Sequence, residues 1–532
     1  MCPIIDALSP NLSRERRVFK TAVTSEGGVV VSQNRLASEI GARVLKEGGH
    51  AADAAVATAF ALGVVEPWMS GVGGVGGALV YEARSDTVTA IDFGGRSPAA
   101  LDPDDFPLAN DATDRFARPI VKERRNSVGP RAIVVPGVPA GLYHLHKLFG
   151  RKRWDALISP AIRLAEDGLV VDWYVTLILA TAFGDLVRDV AARSWFLPGN
   201  APPTPALATA STPIARLPAP VLARTLRALA TDGPRTFYRG EVARALSNDI
   251  QRMGGYLSEA DLASYEVRIS APLEIRYRDR IVHTLPELNG GPTLAKALAA
   301  LEQRPKGRES TPDAETYSAC ASALSTAWRD RLHHMGDSGD RSALTSTTHF
   351  CVVDRTGNVV TATMTLLSLF GCRVVSPGTG ILMNNGIDWF DPRPDRPNSI
   401  APDRRVLANY LPAIMTGGSE LVGIGASGGR KILAAVFQLL AMCTDFEFDL
   451  ARAFHMPRLD VSGGDRIVVD RRMTKEAISA LAKDYQVALA EPVVYSYPFA
   501  YANAVRCVGG THEAVCDAEH PWSEAVSEDS LL

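Results

Sequence analysis

Residues 345–348, Thr-Ser-Thr-Thr, set a row of hydroxyls directly before the apolar run Phe350-Cys351-Val352-Val353. A free Thr hydroxyl is almost wholly protonated at pH 7 and needs a base beside it to become a nucleophile. If Thr is the first residue of a chain, its own α-amine is that base, because an α-amine titrates near neutrality and a lysine does not. Making such a residue in mid-chain requires a cut. The hydroxyl can make it by attacking the preceding carbonyl, and water then hydrolyses the resulting ester. A loop of small residues running straight into a strand suits this chemistry: the loop strains the bond and the strand fixes the new terminus. The pattern is equally that of a plain solvated loop, and the four residues alone leave both readings open.

Other residues could act on the same group. Thr361, Thr363 and Thr365 share one face of a strand that a hairpin returns beside residue 347. They are also what β propensity alone would select. Gly428 and Gly429 stand between a strand at 421–425 and a helix, where backbone N–H groups suit an oxyanion or simply form a tight turn. The same segment, Gly425-Ala-Ser-Gly-Gly429, fits G-x-S-x-G and offers Ser427 as a nucleophile, with His455 and His512 downstream. Only about a hundred residues follow it, too few for the long parallel array that such an elbow needs. Gly71–Gly76 matches G-x-G-x-x-G, but with a helix before and a strand after, the reverse of a dinucleotide site. Close backbone packing is the better reading there. His333 and His334 are adjacent and would leave a helix on different faces, which argues against a metal site.

The elements that must position these groups are legible from spacing. Residues 35–47 show helical apolar spacing and stop at Gly48-Gly49, and 51–64 are apolar nearly all round, as in a buried helix. Residues 78–93 read as a hairpin turning at 84–86, and 347–365 as a second one turning at 355–357. Residues 155–245 read as largely helical, interrupted by a long Pro-rich surface loop at 198–220, and 316–335 as a further helix. Mixed helices and antiparallel hairpins indicate a layered α+β fold.

Bulk properties narrow the class. The chain has 532 residues, 46% hydrophobic and 22% charged, with a formal net charge of −3. No nucleic-acid footprint and no polybasic membrane patch is implied. Seven scattered cysteines without a C-x-x-C pair argue for free thiols in a reducing compartment. The N-terminal residues carry no apolar h-region and no apolar stretch is long enough to span a bilayer. The expectation is a cytoplasmic, soluble protein with a small-molecule substrate.

The stretch Thr347-Thr-His-Phe-Cys-Val-Val-Asp-Arg-Thr-Gly-Asn-Val-Val-Thr-Ala-Thr-Met-Thr-Leu366 resembles the start of the small subunit of γ-glutamyltranspeptidases, which are N-terminal nucleophile (Ntn) hydrolases. The resemblance continues, in the family's order and spacing, through 48–77, 378–390, 397–405 and 425–433. It implies a four-layer αββα sandwich built from two autoprocessed subunits, residues 1–346 and 347–532, cut between Ser346 and Thr347. It implies that the two fragments stay associated, and it leaves a homo-oligomer open. It further implies Thr347 as nucleophile, Thr365 buffering its hydroxyl, Gly428 and Gly429 as the oxyanion hole, and neither cofactor nor metal.

The sequence departs from the family where glutamate is recognised. The family arginine after the Asp-Phe of the first hairpin corresponds to Gly94, with Arg96 two residues on. The family asparagine following the buffering threonine is Leu367. In the segment holding Asn385 and Asp388, the second acid is Trp389 and the preceding polar residue is Gly386. The family's serine pair is Ala408-Asn409. A buried ammonium or carboxylate needs polar partners, since each unpaired group costs roughly 1–3 kcal/mol or more. The expectation is therefore a hydrolase for another acyl group, with Arg96 and Asn409 left to hold a small carboxylate or carbonyl. Leu367 and Trp389 would line an apolar pocket. Branches of the family that resemble this variation hydrolyse oxamate or release oxalyl-type groups, some in antibiotic pathways and one kind by C–C cleavage. A genuine γ-glutamyl hydrolase or transferase with a rebuilt site is the alternative, and a non-catalytic scaffold the lesser one.

Overall fold

Alternation along the strands decides how the layers stack. In the computed structural model, which describes residues 18–113, 119–205, 214–304, 311–335, 345–462, 464, 466–490 and 497–531, two seven-stranded sheets lie face to face. The first runs, edge to edge, β14 (Glu524–Ser527), β2 (Val29–Ser32), β8 (Thr345–Val353), β9 (Val359–Ser368), β3 (Val75–Glu82), β4 (Thr87–Phe93) and β5 (Arg268–Ser270). The second runs β1 (Val23–Ser25), β13 (Thr511–Cys516), β12 (Tyr501–Val508), β11 (Glu420–Ser427), β10 (Ala413–Gly417), β7 (Arg280–Thr284) and β6 (Leu273–Tyr277). Every pairing within the two sheets is antiparallel.

On β8, Phe350 and Val352 pack outward with α1 (Arg35–Lys46) and α2 (Ala51–Val65), whereas Cys351 and Val353 point into the layer between the sheets. Three helices, α3 (Gly291–Glu302), α4 (Ala314–Asp330) and α5 (Lys431–Asp445), cover the other sheet. The result is the αββα sandwich expected of the α+β class. Helix α2 is buried nearly all round, as its composition requires. Its wholly buried Asp53 is satisfied by the backbone N–H groups of His50, Arg151 and Lys152.

The segment 198–220 is a difference from expectation. Residues 206–213 lie outside the described ones, but Arg216–Leu217 form a short strand on Leu169–Val170, and Ala219 N–H donates to Ala165 O. The prolines only interrupt the backbone pairing there. Strand β8 also starts at Thr345, two residues before the expected position. Strands from before and after residue 346 alternate across both sheets: β8 pairs with β2, β9 with β3, β2 with β14, and β7 with β10.

Candidate active site

Thr347 sits on an irregularity of the ladder. Ser346 pairs with Leu367 and Thr348 with Met364, so Thr347 alone is opposed by both Thr365 and Leu366. A bulge of this kind bends the strand and re-aims the side chain beside it. Here it brings Thr347 Oγ1 to 3.3 Å from Thr365 Oγ1, which also accepts the Leu367 N–H at 2.8 Å. Leu367 itself has φ +81°, a left-handed conformation that a branched side chain adopts only at a cost of order 1 kcal/mol. Both threonines are buried, at 4% and 1% exposure.

The face carrying Thr365 continues as Thr363 and Thr361, which engage His349. Its Nδ1 lies 2.8 Å from Thr363 Oγ1 and its Nε2 3.2 Å from Thr361 Oγ1. Burial pushes the imidazole down to about 3, so it is neutral and structural. A Cβ on Gly425 of the facing strand would lie 2.3 Å from the His349 ring. Cys351 Sγ in turn donates to Gly423 O at 3.5 Å. Two residues down β8 thus match two residues up β11, and one further step brings the Ser427–Gly429 turn to the level of Thr347. That turn uses φ +147° at Gly428 and +58° at Gly429, after which α5 begins. Ser427 is wholly buried and accepts from Gln33 Nε2, while His455 and His512 bond to the carbonyls of Ala451 and Gly27. No triad forms around Ser427. The glycine run 71–76 gives close packing instead of a nucleotide loop: a Cβ on Gly74 or Gly76 would meet Thr365 O or Thr363 O at 2.6 and 2.1 Å.

The other face of β8 carries a feature that sequence reasoning missed. Thr348 Oγ1 donates to Glu66 Oε2 at 3.5 Å, and His520 Nε2 lies 3.3 Å from Glu66 Oε1; both Glu66 and His520 are fully buried. Burial holds the Glu66 carboxyl well above the usual range and the His520 imidazole well below it. His520 Nδ1 accepts the Ser523 N–H, so the imidazole proton sits on Nε2, which lies 3.4 Å from Tyr174 Oη. A lone acid closing an otherwise apolar helix was the available signal.

A family profile described as Gamma-glutamyltranspeptidase matches residues 37–345 and 334–526. The chain belongs to the gamma-glutamyltranspeptidase family. It is 30% identical over 520 residues to the glutathione hydrolase proenzyme of Bacillus subtilis strain 168, covering 87% of this chain and 85% of that protein. It is 31% identical over 482 residues to the acylase ACY 1 proenzyme of Pseudomonas sp. strain V22, covering 84% of each. The cephalosporin acylase from Bacillus halodurans superposes with a TM-score of 0.83 over 98% of this chain and 99% of that one, at 24% identity, a likeness of fold. The chain is accordingly an Ntn-type enzyme of this family, a hydrolase or acyltransferase.

The positions at which the sequence is read as departing from the family are closely packed. A Cβ on Gly94 would meet Tyr410 Oη at 2.6 Å, Asp92 Oδ1 at 3.0 Å and Arg405 Nη2 at 3.1 Å. Tyr410, hydrogen-bonded to Asp92, and Arg405, ion-paired with it, fill the space an arginine would need. Arg96 turns away to Ser264 Oγ (2.5 Å) and Asp403 (3.1 Å). A Cβ on Gly386 would press on Val134 at 2.3 Å. Leu367, Trp389, Ala408 and Tyr410 join one buried apolar cluster, with Trp389 edge-on to Tyr410. Asp388 accepts from Asn126 Nδ2 at 2.6 Å, and Asn385 ties Ser368 to Ser127. Asn409 is bonded to Arg331. The structure thus brings Thr347, Thr365 and Leu367 together, sets Trp389 in the apolar cluster with Leu367, and engages the Arg96 side chain with Ser264 and Asp403. Among the described residues no metal-ligating cluster forms, and no helix is long and apolar enough to cross a membrane.

Proposed function

We propose that the chain cuts itself between Ser346 and Thr347 and that the released Thr347 hydrolyses a small acyl compound whose acyl group is not glutamyl. In the first reaction Thr347 Oγ1 attacks the Ser346 carbonyl. The O–C bond forms, the C–N bond breaks, and the nitrogen takes up a proton as the new α-amine. Water then splits the ester, leaving a Ser346 carboxylate and the free Thr347 hydroxyl. The bulge supports this reading, because it releases the scissile peptide from regular pairing while Thr365 holds the nucleophile. The amine next serves as base for attack on the substrate, and the N–H groups at Gly428 and Gly429 receive the oxyanion. Residues 345–346 pair with Ser368 and Leu367 over the buried hydroxyl, so their withdrawal after the cut opens the site. The interleaved strands hold fragments 1–346 and 347–532 together.

The observation that carries the proposal is the 3.3 Å contact between Thr347 and Thr365 at the bulge. On a denaturing gel, fragments of 346 and 186 residues run at roughly 37 and 20 kDa. The smaller one reads Thr-Thr-His-Phe from its N-terminus, and Thr347→Ala leaves one uncut, inactive band. Exclusion of glutamate rests on Gly94, Leu367, Gly386, Trp389 and Ala408. An oxalyl or other α-keto-acyl group, as in oxamate or a secondary-metabolite intermediate, fits what is left. A γ-glutamyl substrate is the second reading, favoured by the retained Asp388 and by the glutathione hydrolase relatives. Turnover of γ-glutamyl-p-nitroanilide with no response to oxamate would decide for it. The six described cysteines are free thiols, which supports a cytoplasmic setting.

A further inference from the structure

Self-cleavage and hydrolysis leave one buried amide without a task. Gln33 follows β2 and is fully buried. It stands two residues beyond Val31, which pairs with Cys351 of β8, so its side chain leaves on the face that points between the sheets. There Nε2 donates to Ser427 Oγ, on the last residue of β11 in the facing sheet. The other end, Oε1, is buried and has no hydrogen-bond partner among the described residues. Turning the amide over exchanges its two ends and still leaves one unpaired. An unpaired buried polar atom lowers stability, so an apolar side chain of the same length would serve packing better. The bond to Ser427 is what the amide adds.

That bond reaches the Gly428–Gly429 turn from the sheet that carries Thr347. Lower on β11, Thr361 Oγ1 donates to Ile424 O at 3.2 Å and Cys351 Sγ to Gly423 O at 3.5 Å, tying the strand's middle to β9 and β8. Past Ser427 the chain enters two adjacent glycines at φ +147° and +58°. They have no side chains to hold their peptide planes. On the side of α5, Lys431 N–H and Ile432 N–H donate to Gly428 O and Gly429 O at 3.2 Å each. On the side of the strand, Ser427 pairs with Tyr501 in its own sheet, and Gln33 adds the tie to the other.

We propose that Gln33 is a positioning residue for hydrolysis, which through Ser427 Oγ sets the Gly428–Gly429 turn relative to Thr347. The strand it follows is hydrogen-bonded to β8, so one side chain links the strand of the proposed nucleophile to the turn. The assignment rests on the reading that Thr347 attacks and that this turn receives the oxyanion. Oxyanion donors lower the barrier only when they are already aimed at the atom that gains charge. Gln33 acts through Ser427 and not on the substrate.

Gln33→Met and Ser427→Ala each remove the bond, and hydrogen exchange read at single amides by fragmentation mass spectrometry reports on the turn. The Lys431 and Ile432 amides, protected by the turn carbonyls, should exchange about 10-fold faster or more in each variant. The double variant should be no faster than the worse single one, because both substitutions break the same bond. Leu294 N–H of α3, bonded to Gly290 O, should keep its rate. Unchanged exchange at the turn overturns the assignment, and so does an equal rise at Leu294, which marks a general loss of stability. On whichever of oxamate and γ-glutamyl-p-nitroanilide the self-cleaved parent hydrolyses, kcat should fall about 10-fold with KM within about 3-fold. A change in KM alone overturns the role in hydrolysis. A parent that never self-cleaves sinks the Thr347 reading, and the exchange rates still decide whether Gln33 braces the turn.

Discussion

Thr347 Oγ1 and Thr365 Oγ1 lie 3.3 Å apart across a bulge, and the Leu367 N–H fixes the second oxygen from behind at 2.8 Å. Thr365 is thereby held in one rotamer with a lone pair toward Thr347. Thr365→Val keeps the shape and removes the acceptor, leaving the Leu367 N–H unsatisfied at a cost of about 1–3 kcal/mol. Self-cleavage should slow by about 10²-fold, the lower end of what a positioned proton-transfer partner contributes. Thr365→Ser should restore most of the rate. Time courses on denaturing gels distinguish the two. Equal slowing by both variants would reduce Thr365 to a packing residue.

Glu66 holds Thr348, the neighbour of the proposed nucleophile Thr347, from the helix side of the sheet. Burial raises its pKa well above the usual carboxylate range, which favours the protonated form, so the neutral isostere Glu66→Gln should leave stability and self-cleavage within about 1 kcal/mol and 3-fold of the parent. Glu66→Ala opens a cavity beside His520 and should destabilise by about 2–4 kcal/mol, read by urea denaturation. A Gln variant as damaged as the Ala variant would mean that the group is ionised.

Much of this arrangement was legible beforehand. Period-two spacing put Thr361, Thr363 and Thr365 on one face, and the structure places all of them in the layer between the sheets. The apolar composition of 51–64 announced a buried helix, and that helix is α2. What escaped was geometry that no local pattern encodes. The extra residue on β9 that re-aims Thr347 depends on register between strands, and register is fixed by long-range packing. Glu66 and His520 are 454 positions apart in the chain and meet only through the fold. Arg96 carried the right chemistry for a carboxylate, but Asp403 and Ser264 claim it.

Gly94 tests the proposal that the glutamate site has been rebuilt. Its missing Cβ is replaced by Tyr410 Oη, Asp92 and Arg405, all within 3.1 Å of where that atom would lie. Gly94→Arg should therefore fail to restore γ-glutamyl turnover and should cost about 1–3 kcal/mol by overpacking. The measurements are γ-glutamyl-p-nitroanilide hydrolysis and thermal melting. Gain of that activity in a stable variant would show that Tyr410 and Arg405 move aside and that the second reading of the substrate is correct.

His349 predicts the acid limit of the fold. Its ring is enclosed by Thr361, Thr363, Cys351 and the bare backbone of Gly425, and burial alone lowers its pKa to about 3. The unfolded chain binds a proton at this residue below about 6.5 and the folded chain does not until about 3. Stability is thus fully present above pH 6.5 and declines as the pH falls through that window, by about 1.4 kcal/mol per unit from this group. The buried histidines His50 and His283 add slope of the same sign, because burial lowers them too. Comparison with His349→Asn isolates the one proton. The variant loses some packing at every pH, but its stability should fall less steeply between pH 6 and 4.5, by about one proton in denaturant titrations across that range. Parallel curves for parent and variant would mean that His349 is already protonated in the fold, a state for which the described residues around it offer no carboxylate.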